Sequence, residues 1–461
     1  MIKDRIYNFL KQNSIKSIFI LAIPAIIENV SQVFIGVVDF YFVGKIGTEA
    51  IAAVGVTNLT MNIYISFFIA LGIGTTAMVS RFIGAKDYKN ANNAIKQSLI
   101  MSIVIGLFFG LVNLMFSKQI LLLLGAEEKV IQYALPYFLS VAVPSVFLSV
   151  TMVLSSALRG AGDTKTPMKV ALMANIINAL LTYLLIFGFM NFSGLGILGA
   201  GLATTIARMT SVVLLLVKIN QKDKKIKLTI KRSWKVNFSM LKSITRISIP
   251  AAVERLIMRS GQLIYGGMII EIGTKAYAAH NIAGTIETLS YLPGMGFGVA
   301  AATLVGQNLG RKNKNKAKNV GLFSYCLSTI FMVIVGAIFY IYAPFLTRLF
   351  TKDVEVISKV VQVLRLIALF QPFLAMTLVI TSALQGAGDT KFPMYASLIG
   401  IWGIRVIGVY VLSIRLSYGL FGVWMAYAVD ITVRGVILFL RFIKGKWQRI
   451  ELSESKKEVK K

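Results

Sequence analysis

Apolar residues run down this chain in long blocks separated by short polar breaks, with neither strict alternation nor a single amphipathic stripe. A hydrocarbon core about 30 Å thick takes about 20 apolar residues per helix, and the sequence offers such a block twelve times. The first runs from Ile18 to Val43, followed by blocks over 51–79, 97–116, 130–157, 168–190 and 196–217. After a polar gap come 245–270, 276–305, 320–343, 356–384, 394–413 and 419–442. Lipid offers no partner to a bare backbone amide, and these runs are too long and too uniform for a membrane β-barrel, so each block is predicted to be a transmembrane helix.

Composition excludes the soluble alternative. A chain of 461 residues with 56% hydrophobic and 15% charged residues and a mean hydropathy of +0.74 has more apolar side chains than soluble domains bury. Its net charge of +30 invites nucleic acid as a partner. The basic residues, however, fall on alternate loops. The segment Lys218 to Lys242 holds nine Lys or Arg against one Asp, and Arg311 to Lys318 holds five bases and no acid, while the intervening loops are mixed or poor in charge. That is the positive-inside pattern of a multi-pass protein of the cell (inner) membrane with both termini cytoplasmic, in contact with lipid and not with nucleic acid. One cysteine, Cys326, and one histidine, His280, build neither a disulfide framework nor a metal cluster, and neither a cofactor nor an enzymatic activity is expected. His280 reads as a membrane-interface residue at the outer start of the eighth helix. The opening MIKDRIYNFLKQ lacks a signal-peptide cleavage pattern, so the first helix is expected to be retained.

The chain repeats itself. Ser156 to Met168 reads SALRGAGDTKTPM and Ser382 to Met394 reads SALQGAGDTKFPM, identical at eleven of thirteen positions at an offset of 226. The same offset pairs Pro24 with Pro250, Glu28 with Glu254, Gly84 with Gly310 and Arg208 with Arg434, without a gap. Six helices per copy make a parallel repeat. The expected fold is an all-α membrane protein of twelve transmembrane helices in two pseudo-symmetric six-helix lobes. The N-terminal lobe covers 1–217, a basic cytoplasmic linker 218–243, the C-terminal lobe 244–443 and a basic cytoplasmic tail 444–461. The GAGDTK segments are read as turns between helices, with glycines for positive φ, Asp or Thr for capping, and Pro167 and Pro393 in the following first turn. A phosphate loop would need a different spacing before its lysine.

These paired turns, the VDFYFVG that closes the first helix, SRFIGAKD with its echo VGQNLGRK, and the closing GVWMAYAVD resemble the bacterial branch of the multidrug and toxic compound extrusion (MATE) family over essentially the whole chain. The resemblance implies a MATE-like pair of lobes that alternates between inward and outward openings. It implies a secondary active efflux transporter exporting small organic, mostly cationic compounds by antiport with H⁺ or Na⁺, working as a monomer. A flippase for lipids or lipid-linked oligosaccharides is the nearest rival, an ion channel a more distant one.

Charges inside membrane spans are expensive and mark function or internal pairing. Glu28, Gln32, Gly36 and Asp39 form one stripe of the first helix. Glu28 is placed at the depth of Arg208, whereas Asp39 has no evident basic partner and suits a proton or a sodium ion. Asn175, Asn178 and Thr182 share a face of the fifth helix and complete a candidate ion site around Asp39. The resemblance matches at Asn178 and departs at Thr182, where many relatives carry a second Asp; that favours H⁺ over Na⁺. In the second half Glu254, Glu287, Arg405 and Asp430 are candidates for substrate or coupling roles. Arg405 and Asp430 are expected at similar depth, and Asp430 with Arg434 on one helical face. Met61, Phe67, Phe68, Tyr137, Phe147, Met152, Tyr265, Tyr291 and Met295 pack helices or line an adaptable cavity for flat cations.

Overall fold

The computed structural model describes residues 14–190, 192–221, 226–228 and 234–452. The first thirteen residues, two short stretches of the 218–243 linker and the tail beyond Leu452 lie outside the described residues. Fourteen α-helices follow one another: α1 Ser14–Gly44, α2 Thr48–Gly84, α3 Tyr88–Leu123, α4 Glu128–Ala142, α5 Ser145–Ala161, α6 Lys165–Phe187, α7 Ile197–Ile219, α8 Phe238–Ile272, α9 Thr274–Gly310, α10 Lys314–Arg348, α11 Val354–Leu369, α12 Gln371–Gly386, α13 Lys391–Leu398 and α14 Gly419–Lys444. A two-residue hairpin, Gly188–Phe189 with Phe192–Ser193, joins α6 to α7. Among the described residues nine helical segments are long and apolar enough to cross a membrane, and the bent pairs α4–α5 and α11–α12 add two more spans. The twelfth is α8, 35 residues long but less apolar because it carries Glu254, Arg255 and Arg259. The twelve-helix expectation is met in this form.

The two bends, 43° between α4 and α5 and 59° between α11 and α12, break spans that the apolar pattern ran together. Pro144 sits at the first break and Pro372 opens α12. A proline cannot donate to the preceding turn, so the chain bends where it stands. The span that α13 begins continues as π-helical turns over Ile399–Val406 and Val409–Arg415, a loosening invisible to hydropathy.

The repeat is physical as well as textual. Gly162 and Gly388 take φ of 92° and 87°, left-handed values that the GAGDTK turn needs and glycine tolerates. Asp163 caps α6 by accepting from the Thr166 amide at 2.9 Å. Asp87 caps α3 and Asn313, its counterpart at +226, caps α10. A Cβ on Gly72 would stand 2.5 Å from Ser156 Oγ, and one on Gly298 2.7 Å from Ser382 Oγ, so the same glycine lets the same pair of helices close in both halves. Small residues at such crossings do for membrane helices what side-chain burial does in water. Large apolar side chains such as Phe108, Leu111, Ile330 and Ile341 are exposed and need hydrocarbon as their solvent.

The chain divides into two compact units. One comprises Ile27–Arg246. Its core gathers Met61, Phe68, Tyr137 and Phe138 from α2 and α4. The described parts of the linker pack on this unit: Ile226 and Leu228 are buried, Lys227 N donates to Asn92 Oδ1, and Gln97 bonds both Lys235 O and Asn237 N. The other unit comprises Ile247–Leu452 together with the chain up to Ile26. The first described part of α1 packs there, with Ile18, Leu21 and Ala22 buried among Phe297, Val379 and Ile380. Trp447 closes its end, buried and stacked on Phe442 at 4.7 Å.

Candidate functional site

In the unit Ile27–Arg246 the sequence-predicted ion site assembles. Asn178 and Thr182, one turn apart on α6, are buried and reach Asp39 on α1. Asn178 Nδ2 donates to both carboxylate oxygens of Asp39 at 2.9 Å, and Thr182 Oγ1 donates to Oδ1 at 3.3 Å. No base approaches Asp39 within 4 Å among the described residues, although Arg208 acts on it over a longer distance. Asn178 Oδ1 is buried without a hydrogen-bond partner, so the site holds an unused acceptor beside the carboxylate. Asn175 stands one turn deeper on α6 and meets Ser31, at 3.1 Å, instead of Asp39. Along α1 the expected stripe is uneven: Glu28 is buried, Asp39 half-buried, and Gln32 and Gly36 exposed.

The pairing of Glu28 with Arg208 is corrected. Glu28 Oε1 binds Arg159 Nη1 at 3.0 Å, and Arg159 comes from the repeated SALRGAGDTK motif at the end of α5. Arg208 is occupied by the α4–α5 break. Pro144 has no amide to give the preceding turn, and the last carbonyls of α4 find other donors. Thr205 Oγ1 donates to Ser140 O, Arg208 Nη1 to Val141 O at 3.2 Å and Asn113 Nδ2 to Ala142 O at 3.0 Å.

In the other unit the polar residues form two groups. Asp430, fully buried on α14, binds Arg405 from the π-helical turn and Arg434 one turn along at 3.0 Å. Both expectations for this pair hold. Gly400 makes the room: a side chain there would collide with Asp430 Oδ1. Arg405 lies 4.2 Å over the Tyr427 ring, a cation–π contact. Tyr427 bonds Tyr291 through the hydroxyls, and the charge of the buried Glu287, whose Oε1 has no partner among the described residues, acts on both. His280, six residues into α9, packs inward against this cluster, 5.6 Å from Trp424 and 6.4 Å from Tyr265. The second group is Glu254, buried on α8, which accepts from Gln385 Nε2 at 3.0 Å and Ser397 Oγ at 3.3 Å. Sequence reasoning missed Arg159, Gln385, Ser397 and Tyr427. The repeat held the signal for the first two, because Arg159 and Gln385 occupy the same motif position.

A family model described as MatE matches residues 24–184 and 250–411. The probable multidrug resistance protein NorM of Thermotoga maritima is 32% identical over 436 residues, which cover 94% of this chain and 93% of that protein. The uncharacterized transporter YisQ of Bacillus subtilis is 26% identical, covering 94% of each. Among solved structures, a MATE-family multidrug resistance transporter of the MOP superfamily in an outward-facing conformation superposes with a TM-score of 0.87 at 23% identity, covering 93% of this chain and 95% of that one. A MOP superfamily transporter from Pyrococcus furiosus, described as having a binding pocket of reverse polarity and a different function, gives a TM-score of 0.87 at 23% identity, covering 95% and 97%.

Proposed function

We propose, since the chain belongs to the MatE family of multidrug transporters, that it exports small organic compounds by antiport and that the coupling ion is taken up at Asp39. The observation that carries the reading is a membrane carboxylate with no ion-pair partner, held by neutral donors beside an unused buried acceptor. Burying a charge without a counter-charge raises the affinity for any small cation that can neutralise it. The choice of a proton over Na⁺ follows from the donor set. A hard cation wants several oxygens, whereas the Asn178 amide turns its nitrogen toward Asp39. When Asp39 takes a proton, a half-turn of the Asn178 amide offers Oδ1 to the new hydroxyl and gives that acceptor a donor. A tenfold gradient supplies about 1.4 kcal/mol, and 100 mV supplies about 2.3 kcal/mol per charge, enough to drive export when uptake at Asp39 changes which opening is favoured.

The remaining elements of the reading are a location in the cell membrane with both termini cytoplasmic, supported by the alternating basic loops, and function as a monomer with lobes over 1–217 and 244–443. In proteoliposomes with separately imposed H⁺ and Na⁺ gradients, wild type is expected to export a dye against its gradient, and Asp39→Asn to bind the dye but not export it. Export by the variant at the wild-type rate overturns the assignment of Asp39. Transport that requires Na⁺ at fixed pH, and persists once the proton gradient is collapsed, overturns the proton.

A further inference from the structure

The C-terminal half carries two intramembrane arginines that none of the pairs above absorbs. Arg255 and Arg259 stand on α8, seventeen residues after its start at Phe238 and thirteen before its end at Ile272 respectively, so both fall in its middle third. Arg255 is half-buried and, among the described residues, makes neither a hydrogen bond nor an ion pair within 4 Å. Glu254 acts on it only at longer range, and the Glu254 carboxylate is turned to Gln385 and Ser397. Arg259 is exposed, and its one polar contact is to the neutral Gln262 at 3.0 Å. The two guanidinium groups are near enough to repel each other.

With Gln262 the two arginines make one stripe, at i, i+4 and i+7. The apolar Leu263, one turn beyond Arg259, is exposed beside it. The positions 226 residues earlier are Asn29, Val33 and Gly36, so the stripe is no inheritance of the repeat. Two adjacent guanidinium groups at this depth are too costly to hold against lipid tails, and among the described residues no carboxylate pairs with either within 4 Å. Their planar forks match carboxylate, sulfonate or phosphate oxygens in pairs, and apolar surface next to them suits the body of an amphiphile.

We infer that Arg255 and Arg259 form an anion-binding element that takes the negatively charged group of an amphiphilic organic molecule, so that the compounds handled include organic anions or zwitterions. This deepens the transport reading and rests on it for the word substrate, but the binding site stands or falls by itself.

The test is equilibrium binding to the purified full chain in phosphatidylcholine nanodiscs, with no gradient imposed. Carboxyfluorescein is the anionic probe, ethidium the cationic one, and a fluorescent phosphatidylglycerol the lipid. The double variant Arg255→Gln/Arg259→Gln is expected to lose at least tenfold in affinity for carboxyfluorescein while ethidium changes less than twofold. Arg259→Lys, which keeps the charge and is the fallback if the double variant does not insert, is expected to lose about threefold because it cannot offer a fork. The same arginine dependence for phosphatidylglycerol alone identifies the anion as a lipid headgroup and overturns the inference about transported compounds. Wild type that binds neither anion, or variants that bind carboxyfluorescein as wild type does, overturn the site itself. Neither result touches Asp39, whose test reads gradient-driven export.

Discussion

Glu28 and Glu254 occupy the same place in the two copies of one scaffold, and each meets a side chain 131 residues further on. In the first half that partner is Arg159 and the carboxylate sits in an ion pair; in the second it is Gln385, joined by Ser397, and the carboxylate is held by neutral donors alone. One substitution within the repeated motif therefore decides whether a buried acid is neutralised. Arg208 and Arg434 diverge in the same way. The first ties off a carbonyl at a helix break, and the second turns to Asp430, whose own counterpart is Thr204. Duplication preserved the helices, caps and glycine contacts, while the buried charges were free to differ because each depends on only two or three side chains.

The largest effect is expected where one acid serves two bases. Asp430→Asn leaves Arg405 and Arg434 buried against each other, and should cost about 3–5 kcal/mol in reversible unfolding from mixed micelles. Asp39→Asn, with no base to abandon, should stay within about 1 kcal/mol of wild type. Equal losses would erase the distinction between a carboxylate that serves two bases and one that serves none.

Arg159→Gln rewrites the first half in the chemistry of the second. The Arg159 side chain is 22% exposed, so the loss belongs at the low end for a buried pair, about 3 kcal/mol, and adding Glu28→Gln should recover most of it. A double variant no more stable than the single would show that Glu28 is not what Arg159 serves. Gly72→Val and Gly298→Val probe what the halves share. Each forces a side chain into Ser156 or Ser382 and should destabilise by about 1–3 kcal/mol, nearly equally. A difference of more than about 1.5 kcal/mol between them would mean that the two crossings are not equivalent. The smallest shift belongs to Gln385→Arg, which offers Glu254 the partner that Glu28 has. Stability should move by less than about 1 kcal/mol, but a double-mutant cycle with Glu254→Gln should reveal a coupling that Gln385 lacks.

The helices and their repeat were legible because membrane spans and turn residues obey local rules, and the gapless offset carried each rule from one half to the other. Asp39, Asn178 and Thr182 could be brought together because helical spacing put the last two on one face and depth put the first beside them. Glu28 was paired with the wrong arginine for a reason equally physical. Arg159 lies in a motif that reads as a turn, yet α5 runs on through it to Ala161 and carries the guanidinium to α1. The bends at Pro144 and Phe370 and the π-helical turns around Arg405 left no mark on hydropathy. Without them the cluster of Arg405, Tyr427, Tyr291 and Glu287 cannot be placed, because a change of helical period rotates every later side chain.

The division of α1 between the two units has a consequence for biosynthesis. Phe19 packs edge-on against Phe297 at 5.9 Å and Phe331 at 6.3 Å, and Gly296 leaves room for Ile26. A ribosome adding about 5–20 residues per second makes those partners roughly 15 to 60 s after the segment that needs them. Until then the start of α1 waits in the membrane with an apolar face uncovered, and contacts so distant in sequence are slow to form. A segment made so long before its partners is thus among the last to be seated, and a fragment begun at Ile247 would be missing part of its own core.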